Sequence, residues 1–396
     1  MTAKVRALLR DRRRLVYLLL IAALCAAVFL YAVHCARTCS ADRSPDEAAY
    51  IAMARRLLTE RVYSFWGEGP DAYVTPGFPL LLALGMAVFG SGAKGILAVK
   101  VAQCAMLAGI IALTARLARR VSGRCLAGLI AGVLVAGDLS LFYFATHLLT
   151  EVPYIFFLLL FLTILYEAQR HDRLWLHAAA GAAFAWAVLI RPMVFVTLPF
   201  WYLVPLLRAK GKRRAVLRQA GAFGLGMLAL FAPWWGRNLI VLHRFVLFGT
   251  QTNPIFSGIA ENMWQYGVDD PHSLRGNLAL LLEFIRKWPG MTLRWLTFGK
   301  FQIIFMNIFQ PYRGPIITAF FQHLAVYTGL CGGLCALASR RLRGPAIAFW
   351  VYFAASFLFV PEPRFAMQYI PLLAILSGWL ISAATVQIRR EDGEAR

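Results

Sequence analysis

Hydrophobic residues occur along this chain in long blocks that are separated by shorter polar segments. Ten blocks are long enough, some with the help of flanking residues, to cross the apolar core of a bilayer, which needs about 20 helical residues. They lie near 15–33, 96–115, 125–146, 152–167, 175–190, 193–207, 219–236, 316–338, 345–360 and 366–387. The pattern predicts an all-α polytopic membrane protein with about ten transmembrane helices, which form one integral-membrane domain over residues 1–396.

Two segments between the blocks, 34–95 and 237–315, are long enough to form external loops. In the first, AAYIAMARRLL has apolar residues on one helical face, and the apolar stretch from Phe78 to Gly90 is too short to cross comfortably. Both are predicted to be helices that lie along the membrane interface. In the second, the apolar part of 291–309 is predicted to be a surface or re-entrant helix.

The charge of the chain fits this topology. The sequence is 60% hydrophobic and has a net charge of +22 from 41 Lys and Arg residues against 19 Asp and Glu residues. Most of the basic residues fall in the two terminal segments and in every second segment between the blocks. In the predicted topology these segments all face the cytoplasm, as the positive-inside rule requires. This favours a multi-pass membrane protein with both termini cytoplasmic. It points to membrane lipids rather than nucleic acid as partners.

Two adjacent carboxylates follow the first apolar block in the sequence SPDEAAY. Ser44, Pro45 and Glu47 match a capping box, in which Ser is the N-cap, Pro is the first helical residue and Glu is the third. Asp46 has no part in that motif. It would stay ionised at the helix N-terminus, as a general base must, so Asp46 is the candidate base, with Glu47 beside it.

A second acidic helix start occurs at TEVPY. Thr150 is the expected N-cap and Glu151 lies in the first turn, on the same predicted face as Asp46. Glu151 is either an acid that the helix dipole favours or a second carboxylate of one site, which orients the acceptor or a metal ion.

Arg191, Arg237 and Arg364 lie at predicted outer ends of apolar blocks, against the positive-inside bias. Each one either extends to lipid head groups or belongs to a phosphate site, because guanidinium groups bind phosphate through two hydrogen bonds. The seven histidines and seven cysteines show no metal-ligand spacing, although Cys35 and Cys39 would be able to pair in an oxidising compartment. No nucleotide-binding motif is present, and no cofactor is predicted with certainty, so the need for a divalent metal stays open.

The order of these motifs resembles the membrane glycosyltransferases of the C superfamily, in the branch of the protein mannosyltransferases and the lipid A aminoarabinose transferase. The matching pieces are PDEAAY, TPGFPLLLAL, TEVPYIFFLLL, LIRPM, PWWGRNLIVLHRFVLFGTQTNP and PEPRFAMQYIPLL. The aminoarabinose transferases have a lysine where this chain has Thr75, so one phosphate contact of that family is in doubt.

The resemblance implies transfer of a hexosyl or pentosyl group from a polyprenyl-phosphate donor to a lipid, glycan or protein acceptor on the non-cytoplasmic face. It implies that Asp46 is the base, that Glu151 is the second acid, and that Arg191, Arg237 and Arg364 hold the carrier phosphate. A single base with direct displacement predicts inversion at the anomeric carbon.

Two other classes remain as alternatives. A lipid-linked oligosaccharide flippase or transporter would need ionisable residues inside the spans, for which Asp138 is the candidate, because Lys100 can extend to the surface. An O-antigen ligase or polymerase would use similar donors without accounting for PDEAAY. The sugar, the acceptor, the oligomeric state and the role of Glu47 beyond capping are not determined by the sequence.

Overall fold

The computed structural model describes residues 3–38, 44–209, 211–309 and 314–394, and these residues contain helices and no strand. The all-α prediction is therefore confirmed. The α-helices are, in chain order, α1 Ala3–Thr38, α2 Pro45–Thr59, α3 Gly77–Phe89, α4 Ala93–Ser122, α5 Cys125–Gly137, α6 Ser140–Thr146, α7 Glu151–His171, α8 Leu174–Ile190, α9 Leu198–Arg208, α10 Arg213–Val241, α11 Asn253–Phe256, α12 Leu274–Lys287, α13 Pro289–Arg294, α14 Pro315–Ala338, α15 Arg343–Ser356 and α16 Ile370–Glu394.

Every predicted apolar block coincides with one helix or with two consecutive helical segments. Five helices of the described residues are long and apolar enough to cross a membrane: α1 from Asp11 onward, α4, α7, α10 and α14. The block predicted at 125–146 is divided into α5 and α6, which meet at an angle of 67° and would make a sixth span together. Helices α3 and α8, the Ile370–Thr385 part of α16 and the segment Pro192–Arg208 are apolar but shorter, so the number of ten spans stays a prediction.

The segment predicted as the first external loop forms two helices, α2 and α3, as expected, and their position along the membrane interface stays a prediction. The Oγ of Ser44 accepts a hydrogen bond from the backbone N–H of Glu47 at 3.1 Å, and Pro45 is the first residue of α2, as expected from the sequence. Helix α3 packs closely on the end of α8, because a Cβ on Gly77 would lie 2.7 Å from the backbone of Leu189. The loop is thereby attached to the membrane domain.

Small residues allow the helices of the bundle to approach one another. Positions Gly181 and Gly226 bring α8 and α10 together, since a Cβ at either one would lie 1.9 Å from a carbonyl oxygen of the other helix. Gly329 and Gly332 do the same between α14 and α16. This close packing is the usual way in which membrane helices associate. The small-residue stretch AAAGAAFAWA, residues 178–187 of α8, contains Gly181 and takes part in this packing.

The second external loop has its own apolar cluster, which joins α11, α12 and residues around Met263. The segment predicted as a surface or re-entrant helix is helical and includes two π-helical stretches, Trp295–Gly299 and Gln302–Met306. Cys35 is a free thiol, and its predicted partner Cys39 lies outside the described residues.

Candidate active site

Asp46 lies in the first turn of α2 with its side chain half-exposed. Its Oδ2 accepts a hydrogen bond of 2.8 Å from Nη1 of Arg364, a residue 318 positions away in the sequence. The N-cap at Ser44 fixes the start of the helix and therefore the position of Asp46. Asp46 is thus held at the surface of the domain with its carboxylate partly accessible.

Arg364 follows α15 in a short 3₁₀ helix, Pro363–Gln368, and lies among three carboxylates. Oε2 of Glu362 lies 2.6 Å from its Nε, whereas Asp46 contacts its Nη1. Burial disfavours the charged guanidinium, but the carboxylates of Glu151, Glu362 and Asp46 outweigh this effect and raise the pKa of Arg364. The cation is permanent and partly accessible.

Glu151 and Arg191 form a second pair beside the first. Oε1 of Glu151 lies 2.5 Å from Nη2 of Arg191, and Nε–H of Arg191 donates to Oγ1 of Thr150 at 2.9 Å. The predicted N-cap bond of Thr150 is absent, because the residue has helical rather than extended backbone angles and its hydroxyl accepts from the arginine instead. Glu151 is buried, so it orients Arg191 from the interior of the domain.

Phe365 joins the two pairs. The guanidinium carbons of Arg191 and Arg364 lie 5.5 Å and 5.4 Å from the centroid of its ring. Cation–π contact of this kind fixes the arginines without neutralising them. Asp46, Glu151 and these arginines therefore form one cluster, called the acid–arginine cluster below, with a carboxylate and two cations within reach of one ligand.

Glu47 is directed away from this cluster. Its carboxylate is completely buried, accepts a hydrogen bond of 2.9 Å from the N–H of Leu148, and lies 3.6 Å from Nζ of Lys100. The reciprocal bond of the predicted capping box is therefore not made by Glu47. The expectation that Lys100 extends to the surface is wrong, because a carboxylate inside the domain provides it with an ionic partner.

Arg237 also lies outside the acid–arginine cluster. Its guanidinium donates to the carbonyl oxygens of Asp71 at 2.7 Å and Tyr63 at 3.0 Å, and it lies over the rings of Tyr63 and Trp234. These contacts attach the first external loop to the end of α10. They give Arg237 a structural role, and its predicted contact with phosphate stays a prediction.

Three residues near these pairs were not identified as partners from the sequence. Phe365 and Lys100 are ordinary members of apolar segments until the fold brings their partners to them. Lys300, in the second loop, is buried and donates to the carbonyl oxygens of Phe357 at 2.6 Å and Phe359 at 2.9 Å. Burial lowers the pKa of Lys300 to about 7. The two hydrogen bonds of Lys300 fix the segment that leads to Arg364. In the sequence, Lys300 is distinguished only as a basic residue within the segment 291–309.

Within the described part of the chain, no group of three His, Cys, Asp or Glu side chains is arranged to hold a metal ion. Glu47, Asp46 and Glu151 have separate cationic partners instead of converging on a common point. The chemistry available to the acid–arginine cluster is acceptance of a proton by a carboxylate and binding of an anion by two guanidinium groups.

A comparison with protein families matches part of this chain. The model of the family described as dolichyl-phosphate-mannose-protein mannosyltransferase matches residues 73–236, which include Glu151 and Arg191. No curated protein matches the chain. The matched segment contains three of the motifs that carry the resemblance to the membrane glycosyltransferases of the C superfamily, namely TPGFPLLLAL, TEVPYIFFLLL and LIRPM.

Two solved structures are similar to this chain at low sequence identity. The archaeal oligosaccharyltransferase AglB from Archaeoglobus fulgidus, in complex with an inhibitory peptide and a dolichol-phosphate, is 12% identical with a TM-score of 0.53, over 94% of this chain and 52% of AglB. ArnT from Cupriavidus metallidurans, bound to undecaprenyl phosphate, is 14% identical with a TM-score of 0.47, over 92% of this chain and 77% of ArnT. The chain thus spans about half the length of AglB.

Proposed function

We propose that the protein transfers a hexosyl or pentosyl group from a polyprenyl-phosphate donor to an acceptor at the end of the bundle that carries Asp46. The observation that carries the proposal is the Asp46–Arg364 pair, which combines a candidate base and a candidate phosphate ligand at 2.8 Å. Because basic residues concentrate at the other end of the predicted spans, we assign this end to the periplasmic or extracellular face of the bacterial inner membrane, with both termini cytoplasmic.

The carrier phosphate is proposed to bind Arg191 and Arg364, on either side of Phe365. Two guanidinium groups would neutralise the charge that develops on the departing phosphate, so no general acid is required. The phosphate would also compete with Asp46 for Arg364. Donor binding would therefore release the carboxylate of Asp46 for catalysis.

The released carboxylate of Asp46 would act as general base. The acceptor oxygen forms a bond to the anomeric carbon, its proton passes to Asp46, and the bond from that carbon to the phosphate oxygen breaks with its electron pair on the phosphate. Attack opposite to the leaving group inverts the configuration. Glu151 acts through Arg191 as a positioning residue, and Glu47 and Arg237 hold the first loop in place.

The acceptor is proposed to approach from the second external loop. A cavity of about 1090 Å³ opens there between Glu261, Gln265, Arg294 and Gln302, with the aromatic rings of Tyr266, Trp295 and Phe298 in its wall. Trp295 donates to the carbonyl of Gly258, which packs on the segment at Phe359 that leads to Arg364. Carboxamides and aromatic rings are suited to a hydroxylated acceptor.

Complementation of a deletion strain tests the proposal without knowledge of the acceptor. We expect Asp46→Asn to reduce the surface glycan, measured by mass spectrometry, by about 10²–10⁴-fold, the usual contribution of a general base. The matched control is Glu68→Gln, which removes an exposed acid of the same loop. Normal glycan with abundant Asp46→Asn protein would remove the central residue of the mechanism.

One observation favours the transporter alternative. Asp138 is completely buried, at the break where α5 and α6 meet. Buried acids at broken membrane helices commonly serve transport. A transporter predicts that Asp138→Asn abolishes the surface glycan and that Asp46→Asn does not, whereas the transferase predicts the reverse. The same mass spectra distinguish the two.

A further inference from the structure

Three arginines, Arg120, Arg170 and Arg341, line a cavity at the end of the bundle opposite to the acid–arginine cluster. Tyr166 lies fifteen residues after Glu151 on α7, a distance of about 22 Å along the helix axis. Its hydroxyl accepts hydrogen bonds from Nη2 of Arg341 at 3.2 Å and from Nη1 of Arg170 at 3.3 Å. It also donates to the carbonyl oxygen of Arg120 at 3.0 Å.

Around this cavity, the positive charges outnumber the negative charges among the described side chains. Glu167 is the one carboxylate that pairs there, and it is already shared by Arg116 at 3.0 Å and Arg120 at 3.3 Å. Arg170 and Arg341 have no carboxylate within 4 Å among the described residues, yet both converge on one neutral oxygen. Two positive charges that lie 3.3 Å and 3.2 Å from the same oxygen atom repel each other, and a bound anion would relieve the repulsion.

The basic mouth leads into an apolar cleft. The mouth has a volume of about 620 Å³, and the cleft behind it has a volume of about 160 Å³. The two cavities have wall residues in common, namely Val121, Tyr166, Gln169, Leu342 and Pro345. The cleft continues between the helices and is lined by Leu117, Leu158, Leu162, Trp201, Phe349 and Leu376, among others. An anion that fills both spaces must carry an apolar chain.

We infer that this cavity binds an anionic glycerophospholipid of the adjacent leaflet, with its phosphate between Arg170 and Arg341 and part of an acyl chain in the cleft. Basic pockets between membrane helices are known to bind lipid head groups of this kind. The carrier phosphate of the proposed reaction would be at the other end of α7, so the site is separate from the donor site. The inference does not depend on the proposed function.

Native mass spectrometry of the purified, delipidated full-length protein tests the site. The probes are dioleoyl phosphatidylglycerol, dioleoyl phosphatidylethanolamine and undecaprenyl phosphate. We expect phosphatidylglycerol to bind in preference to the other two, and its affinity to fall about tenfold or more in Arg170→Gln/Arg341→Gln. The control, Arg213→Gln/Arg214→Gln, removes two exposed arginines of α10 and should leave the affinity within about twofold of wild type.

Tyr166→Phe provides a second variant that keeps all the charges and removes the oxygen on which the arginines converge. We expect a smaller loss of phosphatidylglycerol affinity than in the double variant.

Equal affinity in the double variant and its control would overturn the site. Equal binding of phosphatidylethanolamine would overturn the anion contact, and preferred binding of undecaprenyl phosphate would replace the phospholipid by the carrier. Equal thermal protection by inorganic phosphate would overturn the role of the cleft.

Discussion

Asp46 and Glu47 are neighbours on α2, yet they occupy opposite environments. The side chain of Asp46 is 50% exposed and faces Arg364 at 2.8 Å, whereas that of Glu47 is 0% exposed and faces Lys100 at 3.6 Å. An α-helix turns by about 100° per residue, so a single step along the chain separates the outer surface of this helix from its buried side.

The difference separates function from stability. An exposed ion pair contributes about 0–1 kcal/mol, so the Asp46–Arg364 pair adds little to the fold and is free to exchange partners. A buried pair loses about 3–5 kcal/mol when one partner is removed, because the other charge then remains in an apolar environment. We therefore expect substitutions at position 46 to affect transfer and those at position 47 to affect folding.

The largest stability effect is expected for Glu47→Gln, which removes the carboxylate that faces Lys100. The variant should lose about 3–5 kcal/mol of stability. The melting temperature of the purified protein measures this, with Asp46→Asn as the matched control that should change by less than about 1 kcal/mol. Surface glycan per folded molecule should be retained. A Glu47→Gln protein of normal melting temperature without glycan would make Glu47 a catalytic residue.

A smaller effect is expected for the arginine of the exposed pair. Arg364→Lys keeps the charge but loses the planar guanidinium that bonds two oxygens at once, so it should weaken the binding of undecaprenyl phosphate about tenfold. Fluorescence-detected thermal stabilisation by that lipid provides the measurement. The melting temperature without lipid should hardly change.

Arg237→Lys is the control for this substitution, because Arg237 donates to backbone carbonyls of the first loop. We expect this variant to lower the melting temperature and to leave the affinity for undecaprenyl phosphate unchanged. Weakened lipid binding in Arg237→Lys at unchanged melting temperature would return Arg237 to the phosphate site predicted from the sequence.

The sequence was informative wherever the signal is local. Apolar blocks gave the positions of the helices, and Ser44 and Pro45 gave the start of α2, because these features depend on neighbouring residues. The partner of Glu47 was missed because it is on another helix, at Lys100, and a capping motif gave the acid a local explanation that was already sufficient. Arg237 was assigned to a phosphate site because its carbonyl partners are distant in the sequence and are visible only in the folded chain.

The break between α5 and α6 shows the same limit in the spans. Residues 125–146 form one apolar block, which predicts one continuous span, whereas the structure bends it by 67°. At the bend, Oδ1 of Asp138 accepts a hydrogen bond from the backbone N–H of Ser140 at 3.1 Å. This bond satisfies an N–H group at the start of α6, where no preceding helical turn supplies an acceptor. A polar residue inside an apolar block was the available signal.

The smallest effect is expected for Ser44→Ala, which acts on both acids through the helix that carries them. Loss of the N-cap bond to the N–H of Glu47 should cost about 1 kcal/mol, because that N–H then lacks its side-chain acceptor. Ser44→Asp, which restores an acceptor, should recover most of the melting temperature. Glycan per folded molecule should be unchanged in both variants, since the Lys100 contact of Glu47 continues to anchor the helix. If Ser44→Ala abolished the glycan at near-normal stability, the position of Asp46 would depend on the cap alone, and the two acids would no longer be independent.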